Sequence, residues 1–148
     1  MNDNMTHAER AEMLYSQGFL CSQAVLAAFS EELGLSEQQA LRLGACFGGG
    51  MCKGEVCGAC TGALIALGLK HGQCIPGPEG RAATNAAAVK FLEQFAAENG
   101  SYICRDLLGC DIGTPEGVAF AKEHHLFGTL CPKMVVSAAR IAEQLLNG

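Results

Sequence analysis

Tryptophan is absent and aromatic side chains make up only 6% of the chain, which leaves little to stack on exposed bases. Basic residues are few: ten Lys and Arg stand against fifteen Asp and Glu, a net charge of −5. A nucleic-acid binder normally presents a basic stripe, so no nucleic-acid partner is expected. No apolar run reaches the roughly 18–20 residues that a membrane-spanning helix needs. The longest, Cys57 to Leu69, is broken by glycines. Met1 to Arg10 include Asp3 and Glu9 and lack the apolar core of a secretion signal. The expectation is a cytoplasmic chain that does not span a membrane. Strand signals are missing too, since no alternating β-branched run is flanked by hairpin turns.

What the sequence does contain is cysteine, nine in 148 residues. An odd number cannot pair completely, and without a secretion signal many thiols point to metal binding or redox chemistry. Hydrophobic residues at 49% against 17% charged argue for a packed core rather than disorder. The length suits one domain, 1–148.

Helix punctuation is abundant. Thr6 to Glu9 and Ser36 to Gln39 read as capping boxes, in which side chains satisfy the free N–H groups of a helix start. The first opens a helix that stops at Gly18. A second, from Cys21 or Ser22, carries Val25, Leu26, Phe29 and Leu33 on one face and stops at Gly34. The third runs to about Cys46. After Gly48-Gly49-Gly50 a central buried helix is predicted over Val56 to Leu69. Its Gly58, Gly62 and Ala66 form a smooth strip for close helix approach, and Leu64 and Leu67 lie opposite. His71 to Gly80 reads as a loop. A long helix over Arg81 to Asn99 turns Val89, Leu92, Phe95 and Ala96 inward. Ser101 is the predicted cap of a short helix ending at Gly109, and Thr114-Pro115-Glu116 is a further helix start. The last helix follows Cys131-Pro132, with Val135, Ala138, Ile141 or Ala142, and Leu145 inward. The fold class expected is all-α, one multi-helix domain around a glycine- and alanine-rich helix.

Four thiols fall where helices begin. Cys21 is at the entrance to the second helix, Cys57 in the first turn of the central one, Cys104 near the start of the short helix, and Cys131 at an N-cap. A helix N-terminus offers unpaired N–H donors and about half a positive charge, which favours the thiolate, the form that ligates metal and attacks disulfides. The bland alternative for any one of them is a small buried hydrophobe.

Other patterns compete. Cys57-x2-Cys60 is a CxxC without the strand that a thioredoxin context requires. Cys52-x4-Cys57-x2-Cys60 has plant-type ferredoxin spacing. Cys57, Cys60, His71 and Cys74 have the spacing of a zinc module, but a continuous helix would hold its halves roughly 18 Å apart at about 1.5 Å per residue. Phe47 to Gly54 matches neither phosphate-loop pattern; it reads as a turn or as a nest of N–H groups around an anion. His124-His125 reads as a ligand or proton donor beside Cys131, or as a solvated helix end. His7 is read as an exposed first-turn residue, and Asp106 and Asp111 as surface and turn residues.

The ordered set of cysteines resembles the redox-active protein family named for its C-GCAxxG-C-C pattern. The CGAxxG motif is Cys57-Gly58-Ala59-Cys60-Thr61-Gly62. Gly18 to Val25 is similar to the first cysteine segment, Cys104 to Gly109 to the third, and Cys131 to Val135 to the fourth. This family is similar to the iron–sulfur domain of split-Soret cytochromes, an all-α unit. The resemblance implies an iron–sulfur cluster, 2Fe–2S, on Cys21, Cys57, Cys104 and Cys131, the four that the helix starts also select. No CxxCH haem-attachment motif occurs. Cys46, Cys52, Cys60, Cys74 and Cys110 are additional to the pattern and leave the ligand set open.

The leading expectation is a small electron-transfer or redox-sensing protein that passes single electrons to an unidentified redox partner protein. Two rivals remain. One is a thiol–disulfide oxidoreductase, with no metal, in which Cys57 attacks and Cys60 or another nearby thiol resolves; the other is a structural zinc site on the same four thiols. A homodimer with the cluster at the subunit contact also stays open.

Overall fold

The Thr6 hydroxyl accepts the Glu9 N–H at 3.1 Å, and the Glu9 carboxylate accepts the Thr6 N–H in return. The first capping box therefore forms as its sequence dictates, and the Ser36–Gln39 box does the same. In the computed structural model, which describes residues 4–148, the helices are α1 (His7–Ser16), α2 (Cys21–Ala28), α3 (Glu37–Leu43), α4 (Gly58–His71), α5 (Pro78–Asn99), α6 (Cys104–Leu108), α7 (Pro115–Glu123), α8 (Leu126–Thr129) and α9 (Cys131–Asn147). Residues 1–3, at the head of the segment read as lacking a secretion signal, lie outside that description. Among the described residues there is no strand, only an isolated antiparallel bridge between Val56 and Ile103. No described helix is long and apolar enough to cross a membrane. The all-α expectation holds.

The core is built on small residues. Helix α4 buries Gly58, Ala59, Cys60, Gly62, Ala63, Ala66 and Leu67 and packs against α2, α5 and α9, while α1 covers α2 and α9. The glycine strip does what its spacing predicts: a Cβ on Gly62 would lie 2.5 Å from the Ser22 carbonyl oxygen, so α2 and α4 meet backbone to backbone. Ser22, fully buried, donates its hydroxyl to the Gly44 carbonyl at 2.6 Å. Phe29, Phe91 and Phe95 supply the bulk around this seam.

Several sequence readings need correction. Helix α2 ends at Ala28, and Phe29 to Gly34 turn instead, closed by Gly34 at φ +76°. Helix α5 starts earlier, at Pro78, and buries Phe91 and Phe95, whereas Val89 is 53% exposed. Its only fully buried side chains are these two phenylalanines one turn apart, and they set its inward face. Ser101 does not cap α6; Ile103 is the N-cap, and the Ser101 hydroxyl accepts the Ile103 N–H while donating to Asp106. His7 is not a free surface residue. Its ring stacks on Phe29 at 4.3 Å, and its two nitrogens meet Glu143 and Glu32, partners too distant in sequence to be foreseen.

Helices α5 and α9 are tied at their edge by Glu98, whose carboxylate accepts from Ser137 and Arg140. The Ser137 hydroxyl, then Arg140, holds the Glu98 carboxyl below its ordinary value. A depressed folded-state value contributes stability above the unfolded value, and that contribution is lost as pH falls through the folded one. Glu98→Gln is therefore expected to flatten the acid limb of thermal stability slightly, within about 1 kcal/mol for so exposed a pair, as read by melting curves across mildly acidic pH.

Candidate functional site

Four helix starts converge on one cavity. Cys21, Cys104 and Cys131 are the first residues of α2, α6 and α9, and Cys57 is the N-cap of α4. The sequence placed Cys131 at the N-cap; Leu130 takes that position, still in a helical conformation, because the short α8 runs almost directly into α9. All four line a cavity of about 470 Å³, together with Cys52 and Tyr15. The rest of its wall is chiefly apolar, including Phe19, Leu107, Ile112, Phe127 and Leu130.

Local structure explains how the thiols are brought side by side. The Val56–Ile103 bridge carries two short backbone bonds, from the Cys57 N–H to the Tyr102 carbonyl at 2.8 Å and from the Cys104 N–H to the Glu55 carbonyl at 2.6 Å. It fixes the start of α4 against the start of α6, and the Arg105–Glu55 ion pair at 2.9 Å covers it outside. Cys21 sits against Gly58, where a Cβ would come within 2.4 Å of its sulfur. The glycine after Cys57 is thus the gap into which the Cys21 thiol fits.

The glycine-rich loop has an unusual backbone. Gly49, Gly50, Met51 and Cys52 all have φ between 60° and 65°, a short left-handed turn closed by the Glu55 N–H bonding the Gly50 carbonyl at 3.1 Å. For Met51 and Cys52 that conformation costs roughly 1–2 kcal/mol each. Its effect is to lay Cys52 along the cavity and to turn the Gly49 N–H onto the Cys21 sulfur.

Burial dominates the electrostatics. It pushes the Cys21 thiol up to about 12, aided by the nearby Cys57 and opposed by the Gly49 N–H. Burial likewise pushes Cys104 up to about 12 and Cys131 up to about 11, with the Tyr15 hydroxyl opposing it at Cys131. Cys57 moves the other way: hydrogen bonding from Cys60 comes first, followed by the Ala59 and Cys60 N–H groups, and together they outweigh burial. The thiols feel one another electrostatically, so charging all four without a cation is unfavourable.

Tyr15 crosses the cavity wall. Its hydroxyl donates to the Phe127 carbonyl at 2.6 Å. Nothing in the sequence singled it out, because α1 carries none of the cysteines. Tyr15→Phe is expected to lower unfolding free energy by about 1 kcal/mol, measurable by urea denaturation, by leaving that carbonyl unpaired.

The other candidates fall elsewhere. Cys60 is fully buried and does not line the cavity; Cys46 and Cys74 are exposed and away from it. Cys110 also lies outside the lining, although close enough to raise Cys104 and Cys131. His124 ends α7 with its ring on Phe120 at 4.1 Å, and His125 bridges to α8; neither lines the cavity. Helix α4 runs unbroken from Gly58 to His71, which separates the two halves of the zinc-like spacing.

Among the described residues no three His, Cys, Asp or Glu side chains are grouped tightly enough for a single metal ion. A lone zinc needs every sulfur within about 2.3 Å.

No curated protein and no solved structure gives a significant match to this sequence. A protein-family model does, over residues 19–145, and its description is "Putative redox-active protein (C_GCAxxG_C_C)". The matched span runs from just before Cys21 to beyond Cys131, taking in every helix start on the cavity, and the chain belongs to this C_GCAxxG_C_C family of redox-active, cysteine-bearing proteins.

Proposed function

We propose that the cavity holds an iron–sulfur cluster, 2Fe–2S, on Cys21, Cys57, Cys104 and Cys131, and that the protein carries single electrons or senses redox state. The observation that carries this reading is the convergence of four helix-start thiols on one largely apolar cavity in a redox-active family. When bound, such a cluster supplies a one-electron couple.

The chain's own groups then have separate tasks. The four sulfurs bind. The Gly49 and Ser22 N–H groups support the Cys21 sulfur, and the Ala59 and Cys60 N–H groups support Cys57; such donors ease the gain of negative charge on reduction. The apolar wall excludes water, which together with charge sets the potential. Electrons pass to and from a separate redox partner protein, in a reducing cytoplasmic setting.

Anaerobic purification followed by iron, acid-labile sulfide and zinc analysis tests the proposal. Equal iron and sulfide with visible absorbance is the expected result; zinc without sulfide would overturn it.

One observation favours a second reading, disulfide exchange: Cys57 is held toward the thiolate with Cys60 one turn away. The Cys57 thiolate would attack a substrate disulfide and release one thiolate. Cys60 would then attack the Cys57 sulfur, freeing the second thiol and leaving a Cys57–Cys60 disulfide for an external dithiol to reduce. Disulfide reduction by metal-free protein, lost in Cys60→Ser, would select this reading.

A further inference from the structure

The cavity is larger than a cluster needs. Taking each of the four core atoms as the size of a water molecule, about 30 Å³, a 2Fe–2S core fills roughly a quarter of a cavity of about 470 Å³. The remainder has the size of an ordinary small-molecule pocket, about 300–1,000 Å³. Its position is equally informative. Leu20 and Cys52 are exposed, Cys57 and Cys104 are buried, and all four line the cavity. It therefore runs from solvent inward to the sulfurs.

The wall decides what chemistry suits that space. No Asp, Glu, Lys, Arg or His lines it, so nothing offsets the cost of taking a charged group out of water. The Tyr15 hydroxyl is engaged by the Phe127 carbonyl. What the wall does offer is aromatic surface. The whole chain has seven Phe and two Tyr, yet Tyr15, Phe19 and Phe127 all line this one cavity, with Met134 beside them. Aromatic rings pack favourably on other rings, face or edge, and a thioether packs well against a ring.

We infer that the cavity is also a binding site for a small uncharged aromatic molecule, held between the mouth at Leu20 and Cys52 and the buried thiols. A dry apolar cavity of about 150 Å³ holds one benzene, so the space beside a cluster takes a molecule of about two rings. Seated there, it closes the sulfurs off from water. The inference goes beyond the cluster reading and does not depend on it, because the same residues wall the metal-free cavity.

Equilibrium dialysis with prodan, an uncharged two-ring naphthalene ketone, tests this. The chain should bind one prodan saturably, both metal-free and after anaerobic loading with iron and sulfide. Val118→Trp and Leu107→Trp fill the cavity from α7 and α6. With helical content unchanged, each should weaken binding about tenfold or more, the loss expected when part of a ring is denied burial. A second measurement needs no substitution. Saturating prodan should slow iodoacetamide at Cys57 and Cys104 of the metal-free parent and leave Cys74, exposed and away from the cavity, unchanged, as read by peptide mass spectrometry.

Absence of saturable binding, parent affinity in both folded Trp variants, or unprotected Cys57 and Cys104 would each overturn the inference. Release of prodan as iron and sulfide are loaded would overturn it too, since the cavity would then have room for the cluster alone. A parent chain that takes up no iron and sulfide counts against the cluster reading only; prodan binding to the metal-free chain then decides this one.

Discussion

Replacing Cys57 by serine is expected to remove nearly all bound iron, to below about a tenth of the parent content, while leaving the helical fold intact. Serine is among the preferred N-cap residues, because its oxygen accepts the N–H groups at the second or third helical position. Helix α4 begins at Gly58 with Cys57 in that position, where the native side chain makes no cap bond, so serine suits the helix start and the substitution removes only the sulfur. A serine hydroxyl stays protonated at neutral pH and is a poor ligand where a thiolate is needed. The same loss is expected for Cys21→Ser, Cys104→Ser and Cys131→Ser, and none for Cys74→Ser, whose residue is exposed and away from the cavity. Iron and sulfide analysis beside far-ultraviolet circular dichroism reads both halves of the result. Retention of iron in Cys57→Ser together with its loss in Cys52→Ser would transfer the ligand role to the left-handed loop.

Gly62→Ala and Gly68→Ala should act in opposite directions although they lie in one helix. Alanine is favoured over glycine in a helix interior by about 1 kcal/mol. At Gly68 nothing lies within 4 Å of the added methyl group, so that preference is expressed in full and the melting temperature should rise by a few degrees. At Gly62 the methyl would lie 2.5 Å from the Ser22 carbonyl oxygen, and backbone cannot yield as a flexible side chain can. The seam between α2 and α4 must open, which exposes apolar surface and disturbs the Ser22–Gly44 hydrogen bond. Overpacking of this kind costs about 1–3 kcal/mol or more, enough to outweigh the propensity gain. Urea unfolding of the two variants measures both signs. Equal stabilisation would mean that the two helices are not in backbone contact.

The parts of the molecule legible in the sequence are those written in local chemistry. Thr6–Glu9 and Ser36–Gln39 form the caps they spell, Thr114 accepts the Gly117 N–H ahead of Pro115, and Gly58 and Gly62 give α4 its close-packing strip. The alignment of Cys21, Cys57, Cys104 and Cys131 with helix starts could be read in the same way. What could not be read depends on distant segments meeting. Val89 looked inward because its spacing fits a helical face, yet the direction of α5 is decided by Phe91 and Phe95 packing on elements outside it. Tyr15 and His7 carry no motif, and their roles follow from Phe127, Glu32 and Glu143 arriving from elsewhere. The left-handed backbone at Met51 and Cys52 was hidden for the opposite reason: the glycines beside them suggested a turn but not that two residues with side chains would share its conformation.

The four cavity thiols are spread from Cys21 to Cys131 in a chain of 148 residues, and each enters with a different helix. During synthesis Cys131 leaves the ribosome after the other three, and α9, which it opens, is itself part of the packing around α1, α2 and α4. The cavity can therefore close around its contents only once α9 has been made, and a chain terminated before Cys131 lacks both the fourth thiol and the helix that carries it.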